Sequence, residues 1–266
     1  MNAIAETLEK ERISHVVKTS SNHKEVLGQY FTPYPIAKFM SSLFPATDKK
    51  IKLLDPGAGI GTLSCSFMER ILKEKWNTPN IHISAYDIDK DVYEKLKENI
   101  ATSSSAFKQS DYEIFSEDFL EKTSFEYTWK INETYTHVIM NPPYKKILTN
   151  SKERQSARAF GLETVNLYSA FMGAAISLTE DNGYIVAIVP RSFCNGVYYK
   201  PFREFILRNC AIKHIHLFES RNMAFKDESV LQENIIIMLQ KNAKQEDVKI
   251  SYCNDATFVG LSEFSV

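Results

Sequence analysis

The sequence predicts an α/β fold: a mainly parallel, seven-stranded sheet with helices on both faces. Two observations predict it. From residue 51 onward, short apolar runs alternate with amphipathic stretches of helical period. Three of the nine glycines also fall within Gly57–Gly61, where the first apolar run meets the first helical stretch.

The elements follow in order. Ile51–Asp55 reads as a short buried strand, followed by the Gly-rich turn and a helix from Thr62 to about Lys75. Ile81–Asp87 is a second strand, Asp89–Ile100 an amphipathic helix, and Thr102–Ser105 is loop-like. Tyr112–Phe115 is a weaker third strand and Tyr135–Met140 a fourth. Residues 145–166 form a polar connection with five basic and two acidic residues, long enough to suggest function or disorder. Val165–Leu178 is helical, Gly183–Val189 a fifth strand, Lys200–Arg208 a helix, and Ile212–Phe218 and Asn234–Gln240 the last strands. No linker divides the chain. Residues 1–50 are expected as an N-terminal helical extension and 51–266 as one domain.

Composition narrows the function classes. Lys plus Arg number 32 and Asp plus Glu 33, a net charge of −1 that excludes a generally basic nucleic-acid coat. No apolar run approaches the roughly 18–20 residues of a membrane span. The charged stretch MNAIAETLEKERISHVVKTS lacks a secretory apolar core. Cys65, Cys194, Cys210 and Cys253 form no C-x-x-C pair, which disfavours zinc ribbons and disulfide scaffolds. A reduced, cytoplasmic protein is expected.

Asp55-Pro56-Gly57-Ala58-Gly59-Ile60-Gly61 closes a strand and opens a helix, where backbone can approach a ligand and point amides at it. Ser64 stands where a dinucleotide fingerprint has its third glycine, so NAD is disfavoured. Asp87, ending the second strand, can accept from ribose hydroxyls; equally, Asp87 or Asp89 can cap the next helix. The third strand also ends in acids, at Glu117-Asp118. Asn141-Pro142-Pro143-Tyr144 follows the fourth strand. Its prolines lack N–H groups and hold the loop rigid with free carbonyls. The Asn141 amide oxygen and Pro142 carbonyl can grip both hydrogens of a planar amine, and Tyr144 offers an aromatic face to a base. His137 reads as structural. His214 and His216 have no third ligand, so no metal is expected.

Together, Asp-Pro-x-x-Gly-x-Gly, the strand-end acids and Asn-Pro-Pro-Tyr resemble the S-adenosylmethionine-dependent amino-methyltransferases, a Rossmann-like fold. Gly28-Gln-Tyr-Phe-Thr-Pro33 ahead of the Gly-rich loop is similar to the cofactor motif of gamma-class adenine-N6 DNA methyltransferases of restriction–modification systems. Gly183–Phe193 and Phe218–Lys241 resemble that family's later strands, so the likeness spans roughly residues 26–241.

The resemblance implies roles. Tyr30, Thr32 and Pro33 would meet the methionine end of S-adenosylmethionine, above a loop of Asp55, Gly57, Gly59 and Gly61. Asp87 would hold the ribose, Ile88 and Phe119 the adenine ring, and Asp118 its amine. Asn141, Pro142 and Tyr144 would take a target adenine flipped from double-stranded DNA, with Phe225 as a second stacking aromatic. The sulfonium methyl is already electrophilic, so alignment and amine polarisation suffice without a strong base. The family usually continues into a target-recognition domain. Residues 242–266 are too few for one, which leaves recognition to a missing segment or a partner. The competing expectations are a protein-glutamine or rRNA-guanine amino-methyltransferase, and a non-catalytic nucleic-acid-binding module that keeps the fold.

Overall fold

The computed structural model describes residues 8–14, 30–218, 233–254 and 256–266. Its first five strands are β1 (Ile51–Pro56), β2 (Ile81–Tyr86), β3 (Ser110–Phe115), β4 (Tyr135–Met140) and β5 (Thr179–Pro190). They are followed by β6 (Cys210–Phe218), β7 (Asn234–Lys241), β8 (Lys249–Cys253) and β9 (Ser262–Ser265). The order across the sheet is β3-β2-β1-β4-β5-β7-β6-β8-β9. Strands β1 to β5 run parallel, and β7 is antiparallel to both β5 and β6.

Among the described residues the sheet therefore has nine strands rather than the seven read from the sequence. The extra pair comes from the tail beyond residue 241: β8 runs parallel to β6, and β9 antiparallel to β8. Near-continuous apolar runs make strands covered on both faces. In β7, Ile235, Ile237 and Leu239 enter one core while Ile236 and Met238 enter the other.

Helices cover both faces. On one side lie α1 (Tyr34–Ser42), α2 (Thr62–Glu74) and α3 (Lys90–Ser104), whose buried side chains pack with Leu53, Ile83 and Val186. On the other lie α4 (Phe119–Thr128), α5 (Lys152–Ala159), α6 (Leu167–Leu178) and α7 (Lys200–Asn209), packed with Leu54, Val138 and Ile185. Residues 8–14 are helical and tie into the first side. Glu9 accepts from the Tyr34 amide at 3.0 Å, and Glu11 pairs with Lys95 at 2.6 Å. No described helix is long and apolar enough to cross a membrane.

Three local readings change. Thr102–Ser104 is helical, not loop; the Thr102 hydroxyl donates to the Glu98 carbonyl at 2.8 Å, so its side chain bonds the helix rather than competing with it. The polar 145–166 connection contains α5, capped by Ser151, whose hydroxyl accepts from the Arg154 amide. Helix α4 was not read at all, although Asp118 caps it by accepting from the Glu121 amide at 2.8 Å. His137 is buried with its Nδ1 2.8 Å from the Thr136 hydroxyl, and desolvation lowers its pKa to about 4. It is a neutral packing residue.

Candidate active site

The chain runs outward from β1 to β3 and then crosses to β4, so the carboxyl ends of β1 and β4 meet at a topological switch point. The loops after these two strands touch there: a Cβ on Gly57 would stand 3.7 Å from the Asn141 carbonyl oxygen. Between them opens a cleft of about 290 Å³. Tyr30, Phe31 and Thr32, Tyr86 to Ile88, Glu117 to Phe119 and residues 145–148 are among the residues that line it.

The Gly-rich turn does not present amides to a ligand as expected. The Gly57 and Ala58 amides both donate to the Tyr86 carbonyl at 2.8 Å, Gly61 donates to the Ala58 carbonyl, and Gly59 donates to Asp87 Oδ2 at 2.7 Å. With those amides taken, the turn is not a phosphate-binding nest. Gly57 and Gly59 line the cleft at positive φ (78° and 57°). Gly61, outside the lining, lets α2 approach α3: a Cβ there would lie 3.0 Å from Leu96.

The strand-end acids divide their work. Asp55 is wholly buried behind the turn, not on the cleft wall, and its Oδ2 accepts from the Ser64 hydroxyl (2.6 Å) and amide (3.2 Å) at the start of α2. Among the described residues, its Oδ1 has no partner. Burial, opposed by the Ser64 bonds and reinforced by the Asp87 charge, pushes its pKa up to about 7. The sequence left Asp87 and Asp89 as alternative caps. Asp89 is the cap of α3, accepting from Asp91, whereas Asp87 lines the cleft and accepts from the Gly59 and Asp89 amides. Asp118 both caps α4 and borders the cleft beside Glu117 and Phe119.

Asn141 is 8% exposed and anchored by the segment before α1: its Nδ2 donates to the Tyr30 carbonyl at 2.8 Å and the Thr32 hydroxyl at 3.1 Å. Those two acceptors fix which way the amide faces. Its Oδ1 accepts from the Tyr144 hydroxyl at 2.9 Å, which also lies 3.1 Å from the Ile188 carbonyl. The Tyr144 ring is half-buried between Tyr30 (centroids 5.6 Å) and Tyr168 (6.3 Å), and burial holds its pKa well above the ordinary phenol value. The hydroxyl therefore stays a donor. Pro142 is buried beside it.

Residues 8–225 match the Eco57I restriction-modification methylase family. The chain belongs to that family. Among similar proteins, the Type II methyltransferase M.BsuBI of Bacillus subtilis is 44% identical over 97% of this chain and 52% of its own length. M.PstI of Providencia stuartii is 33% identical over 85% of this chain and 45% of its own. The chain thus spans about half the length of these relatives. A Listeria monocytogenes protein described as a class I S-adenosylmethionine-dependent methyltransferase superposes with a TM-score of 0.72 at 17% identity, over 96% of this chain and 73% of that one. The type IIG restriction endonuclease BpuSI does so at 0.68 and 19%, over 99% and 33%. The fold is that of the class I methyltransferases.

In this methylase-family chain, Tyr30, Thr32, Gly57, Gly59, Asp87, Ile88, Asp118, Phe119 and Asn141 all line one cleft. Asp55, Gly61, Pro33, Pro142 and Tyr144 lie outside its lining, and Phe225 lies outside the described residues. Ile88 is an exposed apolar side chain at the cleft edge. The sequence did not single out Phe171, which lines the cleft and packs on Phe119 at 5.1 Å between centroids. The helical period of α6 was its available signal. The basic 145–166 segment also changes meaning. Arg154 and Arg158 both pair with Glu163, and Lys152 pairs with Glu121 at 3.2 Å, so much of its charge is answered within the protein. Further along the sheet, His214 and His216 share the Ser251 hydroxyl at 2.6 and 2.8 Å.

Proposed function

We propose that the chain is the catalytic region of a gamma-class, S-adenosylmethionine-dependent DNA methyltransferase that transfers a methyl group to the N6 amine of a flipped adenine in double-stranded DNA, within a Type II restriction–modification system. The observation that supports this best is Asn141. Its amide is oriented by two acceptors behind it, its oxygen faces an aromatic side chain, and it stands at the wall of an acidic cleft. Asn141 Oδ1 retains a lone pair for an amine hydrogen, and the Pro142 carbonyl is suited to the second.

The residues present fit the cofactor. A cationic sulfonium ligand suits a cleft bordered by Asp87, Glu117 and Asp118, with Asp55 buried behind and one of its oxygens unpartnered among the described residues. Bound there, the cofactor would supply the electrophilic methyl group. Thr32, Asp87, Asp118 and Phe119 would hold it.

The test is incubation with radiolabelled S-adenosylmethionine and, separately, DNA, rRNA and a release factor. Label recovered as N6-methyladenine in DNA supports the reading; label on guanine or glutamine rejects it. Absence of transfer to every acceptor, with the cofactor still bound, favours the binding module.

Asp118 is expected to contribute to cofactor affinity. Asp118→Ala should weaken binding by about 1–3 kcal/mol, read by calorimetry, and should also lower the melting temperature because a helix cap is lost. Asp118→Ser keeps a capping oxygen. It should restore the melting temperature without restoring affinity; recovery of both would confine Asp118 to capping.

The raised pKa of Asp55, about 7, gives a second expectation. A nearby cationic ligand favours the ionised carboxylate and lowers that pKa, so binding near neutrality should release a proton and tighten as pH rises through 7. Calorimetry in buffers of different ionisation enthalpy measures the release. Proton uptake, or none together with a flat pH profile, would place Asp55 outside the cofactor's field.

A further inference from the structure

Asn234 opens β7, opposite Pro190 at the end of β5, where the Arg191 amide closes the ladder onto the Glu233 carbonyl at 2.7 Å. The Asn234 side chain is 5% exposed, yet among the described residues neither its Oδ1 nor its Nδ2 has a partner. A buried amide with four hydrogen-bonding positions that the described protein groups leave unpaired is a candidate ligand contact.

The face it occupies says which ligand. Along β7, Ile236 and Met238 point to the α1–α2 side, so Asn234 points there too. Ile139 of β4 lies in the same core, and Asn141, two residues on, turns to that side to reach Tyr30 and Thr32. Between them runs β5. Met140 is in register with Ala187, and Ile188 with Ile236, so Ile188 separates the two asparagines. The Ile188 carbonyl lies within reach of the Tyr144 hydroxyl. The asparagines thus flank the Tyr144 anchor on one face, two strands or about 10 Å apart, with Asn234 about one pleat nearer the carboxyl edge.

Resting on the adenine reading above, we propose that Asn234 recognises the target base, its Nδ2 donating to a ring nitrogen of the adenine whose amine Asn141 holds. A donor set beside the exocyclic amine suits adenine, whose N1 is an acceptor. It opposes guanine, which presents a ring N–H beside its exocyclic oxygen. Asn141 and the prolines grip an amine of any planar base, so a second contact would supply the choice among bases.

The experiment uses the full chain and a duplex carrying the site found by mapping N6-methyladenine in methylated DNA. The target adenine is replaced in turn by 1-deaza-, 3-deaza- and 7-deazaadenine. Asn234→Ala should lower kcat/KM on adenine roughly tenfold to a hundredfold, with cofactor affinity unchanged. One deaza analogue should cost the wild-type chain a similar factor and cost the variant nothing further. Asn234→Thr replaces Asn234→Ala if the latter does not fold, with the same comparison. Equal losses by the variant on adenine and on all three analogues would make Asn234 a packing residue and overturn the proposal. If the wild-type chain transfers nothing to DNA adenine, this proposal falls together with the reading it rests on; retained transfer with equal losses sinks this proposal alone.

Discussion

Asn141→Ala is expected to reduce methyl transfer by about a hundredfold to a thousandfold while changing cofactor affinity by roughly tenfold or less. Two losses combine. The Asn141 oxygen is the acceptor that would draw an amine hydrogen and free the nitrogen lone pair for attack. A preorganised polar group acting where charge develops contributes about 2.7–4 kcal/mol in other enzymes. The second loss is structural: Nδ2 ties the β4 loop to the Tyr30 carbonyl and the Thr32 hydroxyl, and both residues line the cleft. Without that tie the wall can drift, which explains a modest effect on binding. Single-turnover transfer and calorimetry separate the two. A variant that methylates DNA at near wild-type rate would refute the proposed mechanism. A variant that loses cofactor affinity as severely as rate would make Asn141 a wall residue instead.

Much of this site was legible because its residues sit where strands end, and strand ends follow from apolar runs. Asp55, Asp87, Asp118 and Asn141 each close a run or follow its end closely, so the sheet edge that gathers them could be read directly. Their division of labour could not. That Asp87 holds the Gly59 amide while Asp89 caps α3 depends on which carboxylate meets which amide in space. The anchor of Asn141 is a backbone carbonyl 111 positions away, and any residue type could provide it. Helix α4 was missed because Phe119-Leu-Glu-Lys-Thr-Ser-Phe-Glu-Tyr-Thr128 is rich in aromatic and hydroxyl residues of low helix propensity. Its start was nonetheless written in the Asp118-x-x-Glu121 spacing. Strands β8 and β9 are short, the first only partly buried and the second largely exposed at the sheet edge, so pairing, not composition, decides them. The Gly-rich turn misled in one respect: its spacing matches amide-presenting loops, but the Tyr86 carbonyl and Asp87 take those amides.

Tyr144 tests whether stacking and hydrogen bonding can be separated in the same side chain. Extruding a base from the duplex sacrifices a few kcal/mol of stacking. One aromatic face returns about 1–3 kcal/mol per base in single-strand binders. Tyr144→Ala removes that face, empties the space between Tyr30 and Tyr168, and strips the hydroxyl from Asn141. Transfer should fall strongly, and the fluorescence rise of 2-aminopurine at the target position should shrink with it. Tyr144→Phe keeps the ring and leaves only the Asn141 oxygen and the Ile188 carbonyl short of a donor. It should therefore lower the rate more mildly, because Asn141 loses the Tyr144 contact while the Tyr30 and Thr32 acceptors still orient its amide, and leave the fluorescence rise nearly intact. Phe225→Ala, by the resemblance that names it, should act on fluorescence in the same direction as Tyr144→Ala but less. If Tyr144→Phe abolishes the fluorescence rise as fully as Tyr144→Ala, the hydroxyl rather than the ring face holds the base. If neither variant alters fluorescence while both lose transfer, Tyr144 serves Asn141 alone and the flipped base stacks elsewhere.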